Sequence, residues 1–194
     1  MKVLVACEYS GRVREAFRAK GHDAFSCDLL PAEDQSEYHI VGDVLDLLNK
    51  GWDLMIAHPP CTYLAVSGMH WTTRGLRDPE LTEQALVFVQ ELLNAPIPRI
   101  ALENPVSVIS SRIRKPDQIV QPWWFGDDAS KKTCLWLKNL PKLTPTIMLP
   151  GDNKTRRSNQ TISGQNKLSP GPDRWKERSR TYLGIAEAMA SQWG

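Results

Sequence analysis

Two short stretches place residues that could do chemistry at strand ends. The first is an apolar run, Leu54 to Ala57, followed by His58-Pro59-Pro60-Cys61. Such a run reads as a short buried strand, and two prolines in series end it, fix the backbone and remove two amide donors. The chain then enters a stiff loop at the carboxyl end of a strand, the edge where ligands bind in parallel α/β sheets. That loop presents Cys61, a strong nucleophile once part of it is thiolate. The competing reading is a small buried residue in a turn, because free cysteine is usually buried. The second stretch, Arg99 to Leu102, runs into Glu103-Asn104-Pro105. If the two strands are neighbours, a thiol and a carboxylic acid stand side by side. That pair suits conjugate addition to an electron-poor pyrimidine. The thiolate attacks ring carbon 6, and Glu103 supplies a proton or hydrogen bond at ring nitrogen 3. Carbon 5 then becomes nucleophilic enough to accept a methyl group from a sulfonium donor.

The elements that must hold these residues alternate along the chain. Lys2 to Ala6 is a first strand, followed after Cys7-Glu8-Tyr9-Ser10-Gly11 by a helix with Val13, Ala16, Phe17 and Lys20 at helical spacing and Gly21 closing it. Ala24 to Cys27 is a second strand ending at Asp28, and His39 to Val41 a third ending at Gly42-Asp43. Val44 to Leu48 is a short helix. A long helix begins at Asp78-Pro79, shows Leu81, Ala85, Phe88, Val89 and Leu92 as its apolar stripe, and stops at Ala95-Pro96. Ile119 to Gln121 and Thr133 to Leu137 read as two more strands. Residues 138 to 176 show no periodicity. Tyr182, Ile185, Ala186, Met189 and Trp193 mark a closing amphipathic helix. Strand-helix alternation implies an α/β fold with a parallel, doubly wound sheet. Right-handed crossovers then bring Gly11, Asp28, Asp43, Cys61 and Glu103 to one edge. Two acids ending strands two and three, beside a glycine turn, are how such folds hold an adenosine. Surface acids without a ligand are the alternative.

The 194 residues suffice for one substantial core with a small appendage, and 41% hydrophobic with 24% charged residues is ordinary for a soluble globular protein. No apolar run approaches the ~20 residues of a membrane span, and the first residues enter a strand without a secretory pattern. Cys7, Cys27, Cys61 and Cys134 lie far apart, which fits reduced thiols in a cytoplasm. The net charge of +2 hides an asymmetry: residues 131 to 180 hold twelve Lys and Arg against three acids, a local +9 that leaves −7 elsewhere. A concentrated basic segment is the footprint of polyanion binding, a solvated loop being the alternative.

Pro59-Pro60-Cys61 after one strand and Glu103-Asn104-Pro105 after the next resemble the two catalytic signatures of DNA (cytosine-5) methyltransferases, in the same order, in a compact form known chiefly from phages and prophages. The resemblance implies a Rossmann-like class I methyltransferase sheet with a small, basic, loop-rich insertion near the carboxyl end. It divides the chain into a catalytic and cofactor-binding domain (1–137), a target-recognition segment (138–178) and a returning helix (179–194). It implies S-adenosylmethionine as cofactor, held by Tyr9, Ser10, Gly11, Asp28, Asp43, Val44 and Pro59, with Cys61 and Glu103 catalytic. Double-stranded DNA is the implied partner, met by Asn104, Lys131, Lys132, Arg156, Arg157, Arg174 and Arg178. The same segment offers Lys154, Lys167, Lys176 and Arg180 as phosphate contacts. A host cytoplasm is the implied location, with no membrane and no metal involved, and a monomer is compatible with all of this.

The chain also departs from that family's pattern. Its Phe-x-Gly-x-Gly turn is here Cys7-Glu8-Tyr9-Ser10-Gly11. His58 replaces a small residue, and Lys131 and Lys132 stand where Gln and Arg would grip the base. Amino-methyltransferases also place a Pro-Pro loop after strand four but need an aromatic next, where this chain has Cys61. Zinc binding by His58 and Cys61 lacks a second pair of ligands. Trp123-Trp124 could stack bases, with packing on the sheet the preferred reading. Two further readings stay open: a pyrimidine C5-methyltransferase acting on free or single-stranded nucleotide, and a non-catalytic DNA-binding relative.

Overall fold

The computed structural model describes residues 1–194. In chain order the elements are β1 (Lys2–Ala6), α1 (Arg12–Ala19), β2 (Asp23–Asp28), β3 (His39–Val41), β4 (Leu54–Ala57), α2 (Met69–Thr73), α3 (Glu80–Leu93), β5 (Arg99–Pro105), α4 (Ile109–Arg112), β6 (Gln118–Val120), β7 (Thr133–Lys138), α5 (Arg174–Ser179) and α6 (Leu183–Trp193). A 3-10 turn, Val44–Leu47, follows β3. One seven-stranded sheet runs in the order β3-β2-β1-β4-β5-β7-β6. Strands β1 to β5 pair in parallel, and β7 is antiparallel to both β5 and β6. The architecture is the doubly wound, Rossmann-like α/β fold expected. The strand order reverses between β1 and β4, the place where such sheets open a crevice at their carboxyl edge.

Alternation along each strand fills two cores. Leu4, Ala6, Met55, Ala57, Ile100, Leu102 and Trp136 face α3, where Leu86, Val89 and Leu92 are buried. Val3, Val5, Leu54, Ile56, Ala101 and Leu135 face the other way, onto Val13 and Phe17 of α1 and Ile185, Met189 and Trp193 of α6. Burying each large apolar side chain stabilises by about 1.5–3 kcal/mol, so these two layers supply most of what opposes chain entropy. The same alternation puts Glu103 on the α1/α6 face, and His58, one residue beyond β4, beside it.

The stripe expected on α3 is rotated. Thr82, Leu86, Val89 and Leu92 are its buried positions, while Leu81, Ala85 and Phe88 are only partly covered. The Thr82 hydroxyl donates to the Tyr63 carbonyl at 3.1 Å and turns the first turn inward. Helices α2, α4 and α5 have six residues or fewer, too short to show a period in sequence. Trp123 is buried as expected, and the Arg157 guanidinium lies 4.6 Å from its ring centre. No helix is long and apolar enough to cross a membrane.

Candidate active site

Parallel register sets the centre of the site. Ala57 stands opposite Leu102, so the next residues outward, His58 and Glu103, are neighbours. Glu103 still lies in β5 and pairs across with Leu135 of β7. The Asn104 side chain donates to the Pro59 carbonyl at 2.9 Å, fastening the Pro-Pro loop to β5. Asn104 is thus buried, its side-chain nitrogen committed to this tie and its Oδ1 left without a partner. Beyond the prolines Cys61 is exposed, unlike Cys27 and Cys134, which are buried. The small-buried-residue alternative is therefore excluded for Cys61.

Electrostatics distinguish the two reactive groups. Burial pushes the Glu103 carboxyl up, but the Lys131 ammonium, His58 and the Thr133 hydroxyl together outweigh it. The group ends below its usual range and is ionised near neutrality. Desolvation by the surrounding loop raises the Cys61 thiol although its tip is exposed, and the Glu103 charge raises it further, against Lys131 and Arg178, which lower it. Lys131 therefore sits within electrostatic reach of both groups, whereas Lys132 is exposed and acts on Cys134.

At the other end of the edge, the loop after β1 is built differently from the expectation. Gly11 has φ +71°, and a methyl there would collide with the Arg14 guanidinium, so the glycine serves the fold whether or not a ligand approaches it. Glu8 is buried and accepts from the amides of Val13 (2.7 Å) and Arg14 (3.2 Å), capping α1 in place of a Ser or Asp cap. The Ser10 hydroxyl donates to Glu8. Tyr9 is also buried, its hydroxyl donating to the Lys176 carbonyl at 2.8 Å. Val44 is a core residue, buried against the sheet.

Asp28 and Asp43 are where the topology predicts. Asp28 ends β2 with one oxygen accepting from the Leu30 amide at 3.0 Å, and burial raises its carboxyl against that bond. Asp43 caps the 3-10 turn through the Leu45 amide at 2.9 Å. On the far side of Asp28 from Asp43, at the end of β1, sits Cys7, which the sequence did not single out as a site residue. It adopts a left-handed φ of 59°, and burial with the charges of Asp28, Cys27 and Asp43 keeps its thiol protonated.

The basic segment folds over this edge. Helix α5 touches Tyr9 through Lys176 and Ser179, and the Lys131 ammonium donates to the Arg178 carbonyl at 3.1 Å. Arg180 grips Glu33 with two hydrogen bonds, at 3.0 and 2.6 Å. Arg156, Lys154, Lys167 and Arg178 are exposed, and Arg174 is partly covered. Arg157 is not the free clamp expected of it, since its side chain is only 4% exposed and turns inward to Trp123 and Asp128.

No protein-family model matches the chain, and no curated protein matches it in sequence. Among solved structures it is similar to a protein encoded within an E. coli prophage and provisionally described as a DNA modification methyltransferase. Identity to that protein is 13%, the likeness covers 88% of this chain, and the TM-score is 0.48. It covers 62% of that protein's chain, so this chain spans less than two thirds of its length.

Proposed function

We propose that the chain is an S-adenosylmethionine-dependent DNA (cytosine-5) methyltransferase. The observation that carries the reading is the pairing of exposed Cys61 with Glu103. They stand on adjacent strand ends whose loops are bolted together by Asn104 and Pro59. The cofactor would lie across the ends of β1, β2 and β3. Asp28 has one carboxylate oxygen committed to Leu30, leaving the other for ribose hydroxyls, and Leu29 beside it is 76% exposed as an apolar surface for an adenine. That donor set fits an adenosine. When bound, the cofactor supplies an electrophilic methyl group.

The chain's own residues do the rest. Cys61, as thiolate, adds to carbon 6 of an extruded cytosine. Glu103 stabilises the adduct by donating a proton to ring nitrogen 3, and carbon 5 becomes the nucleophile that is methylated. Loss of the carbon 5 proton then lets the sulfur–carbon bond break and frees Cys61. The Pro59-Pro60 turn keeps the sulfur from retreating, which is where positional entropy is saved.

A polymer substrate is favoured over a mononucleotide by the exposed cations of residues 150–180, which extend well beyond the catalytic pair. Trp175, 52% exposed among them, offers a face for stacking an unpaired base. With so short a segment only a few side chains reach base edges, so a target of about two to four base pairs is expected. The deciding experiment incubates protein, cofactor and duplex DNA and analyses the nucleosides by mass spectrometry. 5-Methylcytosine should appear, Cys61→Ser should abolish it with cofactor binding retained, and a 5-fluorocytosine duplex should trap the wild type covalently. Methylation by Cys61→Ser at the wild-type rate would refute covalent catalysis.

A further inference from the structure

The free site is set the wrong way round for its reaction. Glu103 is ionised and Cys61 is held towards the thiol, whereas addition to a pyrimidine needs a thiolate and a proton at ring nitrogen 3. His58 is placed to govern how Glu103 meets the ring. Its side chain is 8% exposed, and its Nδ1 lies 3.5 Å from Glu103 Oε2. Its Nε2 is buried without a partner. A buried ring nitrogen left unpaired is costly, so a residue serving packing alone would be better as an apolar side chain. The titratable groups facing Glu103 are His58 from the end of β4, Cys61 from the loop beyond, and Lys131 and Cys134 from β7 and its lead-in, with Arg178 of α5 acting on Cys61. Among them His58 is the group in contact with a Glu103 oxygen. A separation of 3.5 Å is long, and contacts of this kind tighten when substrate fills the site.

We propose that His58 is a positioning residue that orients the Glu103 carboxyl towards the pyrimidine ring, a role that rests on the cytosine-5 reading of this site. Cys61 first loses its proton to water, and Glu103 takes one from water while the His58 ring holds its Oε2. As the sulfur bonds to carbon 6, the ring π electrons move towards nitrogen 3, and Glu103 gives its proton to that nitrogen. When the carbon 5 proton has left to water and the sulfur–carbon bond breaks, nitrogen 3 returns its proton to Glu103, which releases it to water.

Two variants test this, His58→Asn, whose amide can take the place of Nδ1, and His58→Leu, which fills the space without a polar group. Each is checked for wild-type far-UV circular dichroism and cofactor affinity and compared with wild type in single-turnover methylation of duplex DNA. The expected deficit in His58→Leu is about 10²-fold with DNA affinity unchanged, and His58→Asn should restore most of the rate. Equal rates in His58→Leu and wild type, or a deficit in His58→Asn as large as in His58→Leu, would overturn the role. Wild-type protein that neither methylates nor is trapped by 5-fluorocytosine would instead overturn the cytosine-5 reading.

Discussion

Replacing Gly184 with alanine tests the joint between α6 and the loop leading to Lys131. Helix propensity alone predicts that the change stabilises by about 1 kcal/mol. The surroundings predict the reverse. The added methyl would collide with the Phe125 carbonyl oxygen and lie 2.8 Å from its carbon and 2.9 Å from Asp127 Oδ2. The first two are backbone atoms, so no side-chain rotation relieves them. Overpacking of this kind costs about 1–3 kcal/mol. Backing α6 away also stretches the bond from the Gly184 amide to the Asp127 carboxylate, 2.9 Å long. Hydrogen bonds to a charged group are worth about 1.5–3 kcal/mol. Subtracting the propensity gain leaves a net loss of about 1.5–5 kcal/mol. For a chain of this size that is a fall in Tm of about 3–20 °C. Thermal melts followed by circular dichroism measure it, and a urea midpoint should fall with the slope unchanged. An unchanged or higher Tm would refute the close seating of α6 on Phe125.

Three other outcomes rest on particular contacts. Glu103→Gln should slow methylation by about 10²–10⁴ while leaving DNA affinity nearly unchanged, and equal rates would make Glu103 structural. The same variant reports on acid stability. Because the folded carboxyl lies below its ordinary value of 4.5, it stabilises above that pH and loses the contribution as pH falls through the lower folded value. Urea unfolding should therefore weaken more steeply with acid in wild type than in Glu103→Gln. Arg156→Ala should reduce the salt slope of DNA binding by about one, as for a lost phosphate contact. Arg157→Ala should lower Tm without moving that slope, and the opposite pattern would reverse their roles.

The sheet was legible because each strand is a short apolar run with its own stop, as Leu54–Ala57 is stopped by two prolines, and the β4–β5 adjacency came from topology. The pairing of Cys61 and Glu103 was legible for the same reason. What sequence hid was the second use of polar groups. Glu8 caps a helix five residues on, and Arg14 is fully buried, donating to Ser26 at 2.8 Å and pairing with Asp34. A charged residue in a helix pattern reads as surface, and only the tertiary partner twelve or twenty residues away reveals otherwise. Arg157 deceived in the same manner, since a cation in a basic run carries no mark of facing inward. Helix α5 was invisible because six residues cannot display a period.

The path of the basic segment bears on how the protein can diversify. The chain leaves the frame at Leu149, whose amide donates to the Trp123 carbonyl at 2.9 Å, and rejoins it where α5 meets Tyr9 and Arg180 meets Glu33. Between those anchorages it is held inward at few places, chiefly Arg157 on Trp123 and Asn159, whose side chain accepts from the Ser130 amide and donates to its carbonyl. Because both ends are fixed independently, doubling the length of a flexible stretch between them costs only about 0.6 kcal/mol in closure entropy. Insertions, deletions and wholesale exchange between residues 168 and 172, beyond the Gln160–Asn166 bridge, are thus nearly neutral for folding. Selection can rewrite that stretch while the sheet edge holding Cys61 and Glu103 stays as it is, and chimaeras that graft another loop there should inherit an intact catalytic frame.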